Sequence, residues 1–119
     1  MPIADRNANI ISHIRKYCIE VETAHTDFSY SKDRFMVSST YRNAVTMPIL
    51  QIGELSNHVS ETFKKLYPQI PWNEMRGLQN IMAHQYASVD FDIIWDTSTK
   101  DIPALKRFCD DFLSDFNKP

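Results

Sequence analysis

Two glycines in 119 residues leave this chain few ways to turn tightly. A sandwich or barrel needs many turns built on residues with positive φ, so the shortage disfavours sheets and favours helices. The apolar residues agree. Ile10, Ile14, Tyr17 and Val21 fall on one helical face, and Val45, Pro48, Ile52, Leu55, Val59, Phe63 and Leu66 recur at intervals of 3 or 4. A third stripe, formed by Ile94, Ser98, Ile102, Leu105, Cys109, Phe112 and Phe116, keeps the same intervals. The pattern predicts an all-α, up-and-down-like bundle of four to five helices, in one domain over residues 1–119.

Local signals place the boundaries. The first helix is expected from about Ala4 to His25, followed by a loop, "TDFSYSKDRF", that leads into a short helical turn. One long helix is expected from about Ser38 to Pro68, kinked at Pro48, which cannot donate to the carbonyl four residues back. Gly53 inside it suits a close helix–helix contact better than a stop. "YPQIPW" is a two-proline connector, with Pro71 suited to the first turn of a helix that stops near His84. Asp90 is a candidate N-cap, Asp92 an acidic first-turn residue, and Pro103 predicts a bend near Asp101.

Composition narrows the function classes. A formal net charge of −2 gives no bulk attraction to nucleic acid, so any such site must be a local patch. No apolar run approaches the roughly 20 residues that span a bilayer, so a cytoplasmic protein with no membrane partner is expected. Cys18 and Cys109 stand alone in sequence and are expected as buried free thiols. His13, His25 and His58 show no metal-ligand spacing, and no cofactor is expected.

One helical segment carries a different pattern. In "WNEMRGLQNIMAHQY" the residues Arg76, Asn80 and His84 are spaced 4 and 4, each displaced by only about 40° on an ideal helix. They form a polar stripe opposite Leu78, Ile81 and Met82, with Gln79 at its edge and Tyr86 just beyond. Histidine can take or give a proton near neutral pH, and a guanidinium can neutralise a phosphoryl oxygen. With RNA the 2′-hydroxyl is the nucleophile, so a base and an electrostatic clamp suffice. The plain alternative is a histidine that caps a helix end or sits in an interface.

Residues 70–106, "IPWNEMRGLQNIMAHQYASVDFDIIWDTSTKDIPALK", resemble the signature stretch of the HepT-like toxins, members of the HEPN group of helical domains. "NAVTMPILQIGELSNHVS" is similar to a second block of that family, and the matches span most of the chain after Tyr41. The resemblance implies a helical bundle that forms a homodimer, with a metal-independent ribonuclease site in the dimer cleft. It implies an R-x4-H-x-Y motif, an RNA substrate (tRNA or mRNA), and an antitoxin of the MntA type. That antitoxin, a minimal nucleotidyltransferase, transfers AMP from ATP onto the motif tyrosine.

Residue by residue, the motif histidine falls on His84, the tyrosine and AMP acceptor on Tyr86, and the polar residue after the arginine on Asn80. Gln79 stands where the motif has arginine. Glutamine has no charge, and loss of such a positioned cation commonly costs on the order of 10² in rate. Three accounts are open: an engineered substitution, a natural loss of catalysis with a binding role kept, or a clamp supplied by Arg76. The last residue lies about 12 Å of helix rise from His84 and would serve more easily across a dimer. The rival function is a non-catalytic HEPN module that binds a nucleotidyltransferase or nucleotides.

The remaining candidates are structural. Glu54 suits either orienting an active-site group or a solvated or interface position. Asp101, Asp110, Asp111 and Asp115 are expected on a solvated face that repels RNA, and Trp72 and Trp95 as core or interface anchors.

Overall fold

The computed structural model describes residues 3–77 and 89–118. Helix α1, Ile3–Asp27, carries the face on which the rest is assembled, packing on α3 (Ser39–Ser56) and α7 (Ile102–Phe116). Ile11, Ile14, Cys18 and Val21 of α1 are fully buried, whereas Tyr17 lies at the margin, so the buried face is centred one position from the predicted stripe. The short helices are α2 (Lys32–Val37), α4 (Glu61–Leu66), α5 (72–77) and α6 (Phe91–Asp96). The fold is all-α, with no strand among the described residues. Among those residues no helix is long and apolar enough to cross a membrane.

The helix expected to run unbroken toward Pro68 is two helices. α3 passes through Pro48 and Gly53 but ends at Ser56, and α4 restarts at Glu61. Ser60 caps α4, its hydroxyl accepting from the Phe63 N–H. Asn7 of α1 donates to the Ser60 hydroxyl at 3.0 Å and accepts from the Ser60 N–H at 3.2 Å. A side chain 53 positions away in sequence therefore takes the backbone bond that a continuous helix would have used.

The bend expected near Asp101 is a π-helical turn, Thr97–Asp101, between α6 and α7. The Ile102 N–H reaches back to the Thr97 carbonyl, five residues earlier. Pro103 follows directly and has no N–H to give, so the widened turn meets a residue that could not have continued a regular ladder. Ser98 and Thr99 both donate their hydroxyls to the Trp95 carbonyl, at 2.9 and 2.8 Å.

His25 ties three of these elements together. Its ring is 1% exposed, with Nδ1 2.5 Å from the Tyr41 hydroxyl and Nε2 2.8 Å from the Ser98 hydroxyl. Ser98 spends its only proton on the Trp95 carbonyl, so it accepts from Nε2–H. The neutral ring then accepts from Tyr41 at Nδ1. Burial pushes the Tyr41 phenol up to about 12, which keeps it a donor. Tyr30 stacks on His25, and the edges of Tyr41 and Trp95 close the cage.

Behind His25 the chain leaves α1 through a pair of left-handed residues, Ser29 (φ 60°) and Tyr30 (φ 51°). The Tyr30 N–H bonds the His25 carbonyl at 2.7 Å and the Ser29 N–H bonds the Thr26 carbonyl at 3.1 Å, which satisfies the helix end. Both thiols are buried and free, as expected, and burial pushes Cys109 up to about 12. Asp110 is not merely solvated: it pairs with Arg15 of α1 and with Lys106, and the Arg15 hydrogen bond holds its carboxyl below the ordinary range.

Burial lowers the pKa of His25, so its neutral form carries stability that is complete above the unfolded value near 6.5 and is lost as pH falls through the folded value. Urea unfolding at pH 7.5 and pH 5.5 should show that loss, and His25→Gln should flatten this part of the profile. His25→Ala should cost about 2–4 kcal/mol, because it strands two buried hydroxyls. At the turn, Ser29→Gly should raise stability by roughly 0.5–1 kcal/mol, measured in the same titration, since glycine removes the left-handed penalty.

Candidate functional site

The described residues on both sides of the predicted site are anchored. At the first end, the connector after α4 folds back on itself: the Ile70 N–H bonds the Tyr67 carbonyl, and the indole N–H of Trp72 donates to that same carbonyl at 3.0 Å. The Trp72 ring is buried against Phe63 and Phe108, so the start of α5 is anchored in the core. The Met75 N–H bonds the Pro71 carbonyl at 3.0 Å, which makes Pro71 the last residue before the helix.

The second end is α6. Asp90 is its N-cap, accepting from the Asp92 N–H at 2.9 Å, as the sequence suggested. Asp92 forms an ion pair with Lys32 of α2, and the Arg42 guanidinium lies 4.9 Å over the Phe91 ring. Five residues after the cap, Trp95 packs against His25 and Phe35. The Asp-x-x-x-x-Trp spacing is thus a cap followed by a core anchor, and its role is structural.

Of the predicted site residues, Arg76 is exposed on α5 and forms no ion pair among the described residues. Gln79, Asn80, His84 and Tyr86 lie outside the described residues, as does the expected helix end near His84. Glu54 is exposed on α3 and pairs with His58 one turn later at 3.3 Å. It makes a surface contact there. Among the described residues no group of three His, Cys, Asp or Glu side chains could hold a metal ion.

Sequence reasoning missed one polar centre, the His25–Tyr41–Ser98 chain. It saw His25 only as a histidine without metal-ligand spacing. The hydrogen-bond partners lie 16 and 73 positions away, so no local pattern could have reported them.

Asp90→Ala should lower stability by about 1 kcal/mol, the ordinary worth of a cap, and leave overall helicity intact. Chemical unfolding followed by circular dichroism measures both. A loss below a few tenths of a kcal/mol would show that the second end is not held by this residue.

A family model for "Ribonuclease HepT-like" proteins matches residues 9–112. A candidate RNase of Methanocaldococcus jannaschii is 32% identical over 91 residues, covering 73% of this chain and 84% of that protein. A candidate HepT ribonuclease of Thermococcus cleftensis is 38% identical over 72 residues, 60% of this chain and 66% of that one. A second candidate RNase of Methanocaldococcus jannaschii aligns over 118 residues at 26% identity, 99% of each chain. No solved structure matches the chain significantly. With a family match over nearly its whole length and a relative above 30% identity mostly covered, the chain belongs to the HepT-like ribonuclease family.

Proposed function

We propose that this chain is the toxin of a HepT/MntA-type toxin–antitoxin pair: a metal-independent endoribonuclease with its site at a homodimer cleft, acting in the cytoplasm. The observation that carries this reading is the family match over residues 9–112, which spans His84 and Tyr86 at the His-x-Tyr spacing. His84 takes the proton of the 2′-hydroxyl or returns one to the departing 5′-oxygen. The 2′-oxygen attacks phosphorus as the bond to the 5′-oxygen breaks, which leaves a cyclic phosphate and a free 5′-hydroxyl. Asn80 positions the histidine or the phosphate. Gln79 occupies the clamp position without a charge, and Arg76 is the nearest cation along the stripe.

Silencing follows from the same place. A minimal nucleotidyltransferase antitoxin transfers AMP from ATP to the Tyr86 phenol. A bulky anion beside His84 excludes RNA by size and by charge.

Gln79 is the one observation that favours a second reading, a non-catalytic module that binds the nucleotidyltransferase and cuts nothing. Expression of this chain beside its Gln79→Arg variant separates the two, with growth and the ends of cellular RNA as readouts. On the nuclease reading, Gln79→Arg arrests growth and leaves cyclic-phosphate ends, and the unaltered chain cuts more slowly by on the order of 10². Adding His84→Ala to that variant abolishes cleavage. If Gln79→Arg cuts no RNA, the binding-module reading takes its place. Incubation with the cognate nucleotidyltransferase and ATP should add the mass of AMP to the chain, and Tyr86→Phe should prevent it.

A further inference from the structure

Beside α5 lies a cleft of about 720 Å³, walled by α3, the two-proline connector, α5, the π-helical turn and α7. Its floor is apolar. Ile49 and Ile52 of α3 line it together with Leu105 and Phe108 of α7, and the apolar surface continues outward to Ile93, which is 55% exposed. Among the described lining residues the charged groups are all carboxylates: Glu74 on one wall, Asp101 and Asp111 on the other. None of the three forms an ion pair among the described residues, whereas Asp110 and Asp115 do. No lysine, arginine or histidine is among the described lining residues.

The spacing along one wall suggests the shape of the occupant. Asp101 and Asp111 are ten residues apart on the stripe that also presents Ala104 and Phe108 to the cleft, and so stand about 15 Å apart along the axis. A carboxylate therefore marks each end of an apolar trough about three helical turns long. RNA and nucleotides carry the wrong charge for this rim. An amphipathic helix fits, because its apolar face fills such a trough between helices while cations at its two ends meet the acids.

We infer that this cleft docks an amphipathic helix of a partner protein, with a lysine or arginine at each end of its apolar stripe.

The probe is a synthetic helical peptide of about 14 residues, with leucine and isoleucine on one face and lysines about eleven residues apart flanking them. Its twin carries glutamates in place of the lysines. Fluorescence anisotropy of labelled peptides at low ionic strength should show the lysine peptide binding on the order of 10-fold tighter, a preference that added salt erases. In the double variant Asp101→Lys, Asp111→Lys the preference should invert. Both positions are exposed, and circular dichroism checks that the fold is kept. Ile93→Ser should weaken the lysine peptide and its twin alike. The inference fails if neither peptide binds, if both bind equally, or if the charge reversal leaves the lysine peptide unaffected. It also fails if binding vanishes as protein concentration rises, since a second copy of the chain would then be what covers the cleft.

Discussion

A neutral imidazole sealed from water holds this bundle in register. His25 is at once the last-turn residue of α1, the acceptor for Tyr41 at the start of α3, and the donor to Ser98 in the π-helical turn. Each partner has one arrangement that satisfies it, because Ser98 has already committed its proton to Trp95. A hydrophobic face alone tolerates sliding by a fraction of a turn. A directional chain of four groups does not, so three elements far apart in sequence have a single way to meet. Adding a proton at Nδ1 would place it where the Tyr41 hydroxyl already donates, so burial and bonding both oppose charging the ring.

The helices themselves were legible in the sequence. Apolar spacing marks α1, α3 and α7, the Asp90 cap marks the start of α6, and Pro103 marks the irregular turn. What escaped was set by distance. The break between α3 and α4 depends on Asn7, and the role of His25 depends on Tyr41 and Ser98, so both were invisible to any window along the chain. The spacing of Val59, Phe63 and Leu66 was helical in period across the break. Periodicity reports which face is buried, and is silent on whether the backbone between two buried positions is continuous.

The signature stretch divides by role. Trp72, Asp90 and Trp95 hold its two ends through an indole–carbonyl bond, a cap and a core contact. Arg76, Gln79, Asn80, His84 and Tyr86 bear the chemistry that the family resemblance implies, and only Arg76 falls within the described residues. Spacing alone placed histidine, amide and guanidinium on one stripe and left a helix-end cap equally open; the chemistry expected of them came from the family resemblance. Gln79 differs from the motif arginine in charge and not in its place on the stripe, so the spacing pattern is the same with either residue.

The π-helical turn has a consequence for rotational phase. Ile94, Ser98 and Ile102 follow one another at steps of four, and in a regular α-helix two such steps would carry the stripe about 80° around the axis. All three are nonetheless buried. The wider turn takes up that drift, so α6, the turn and α7 keep one buried stripe although they are not one regular helix. The same adjustment leaves Thr97 and Asp101, the residues just before Ser98 and Ile102, lining the cleft while Ser98 bonds His25. An inserted residue thus works here as a clutch between two helical phases, serving the core with one side of the turn and the surface with the other.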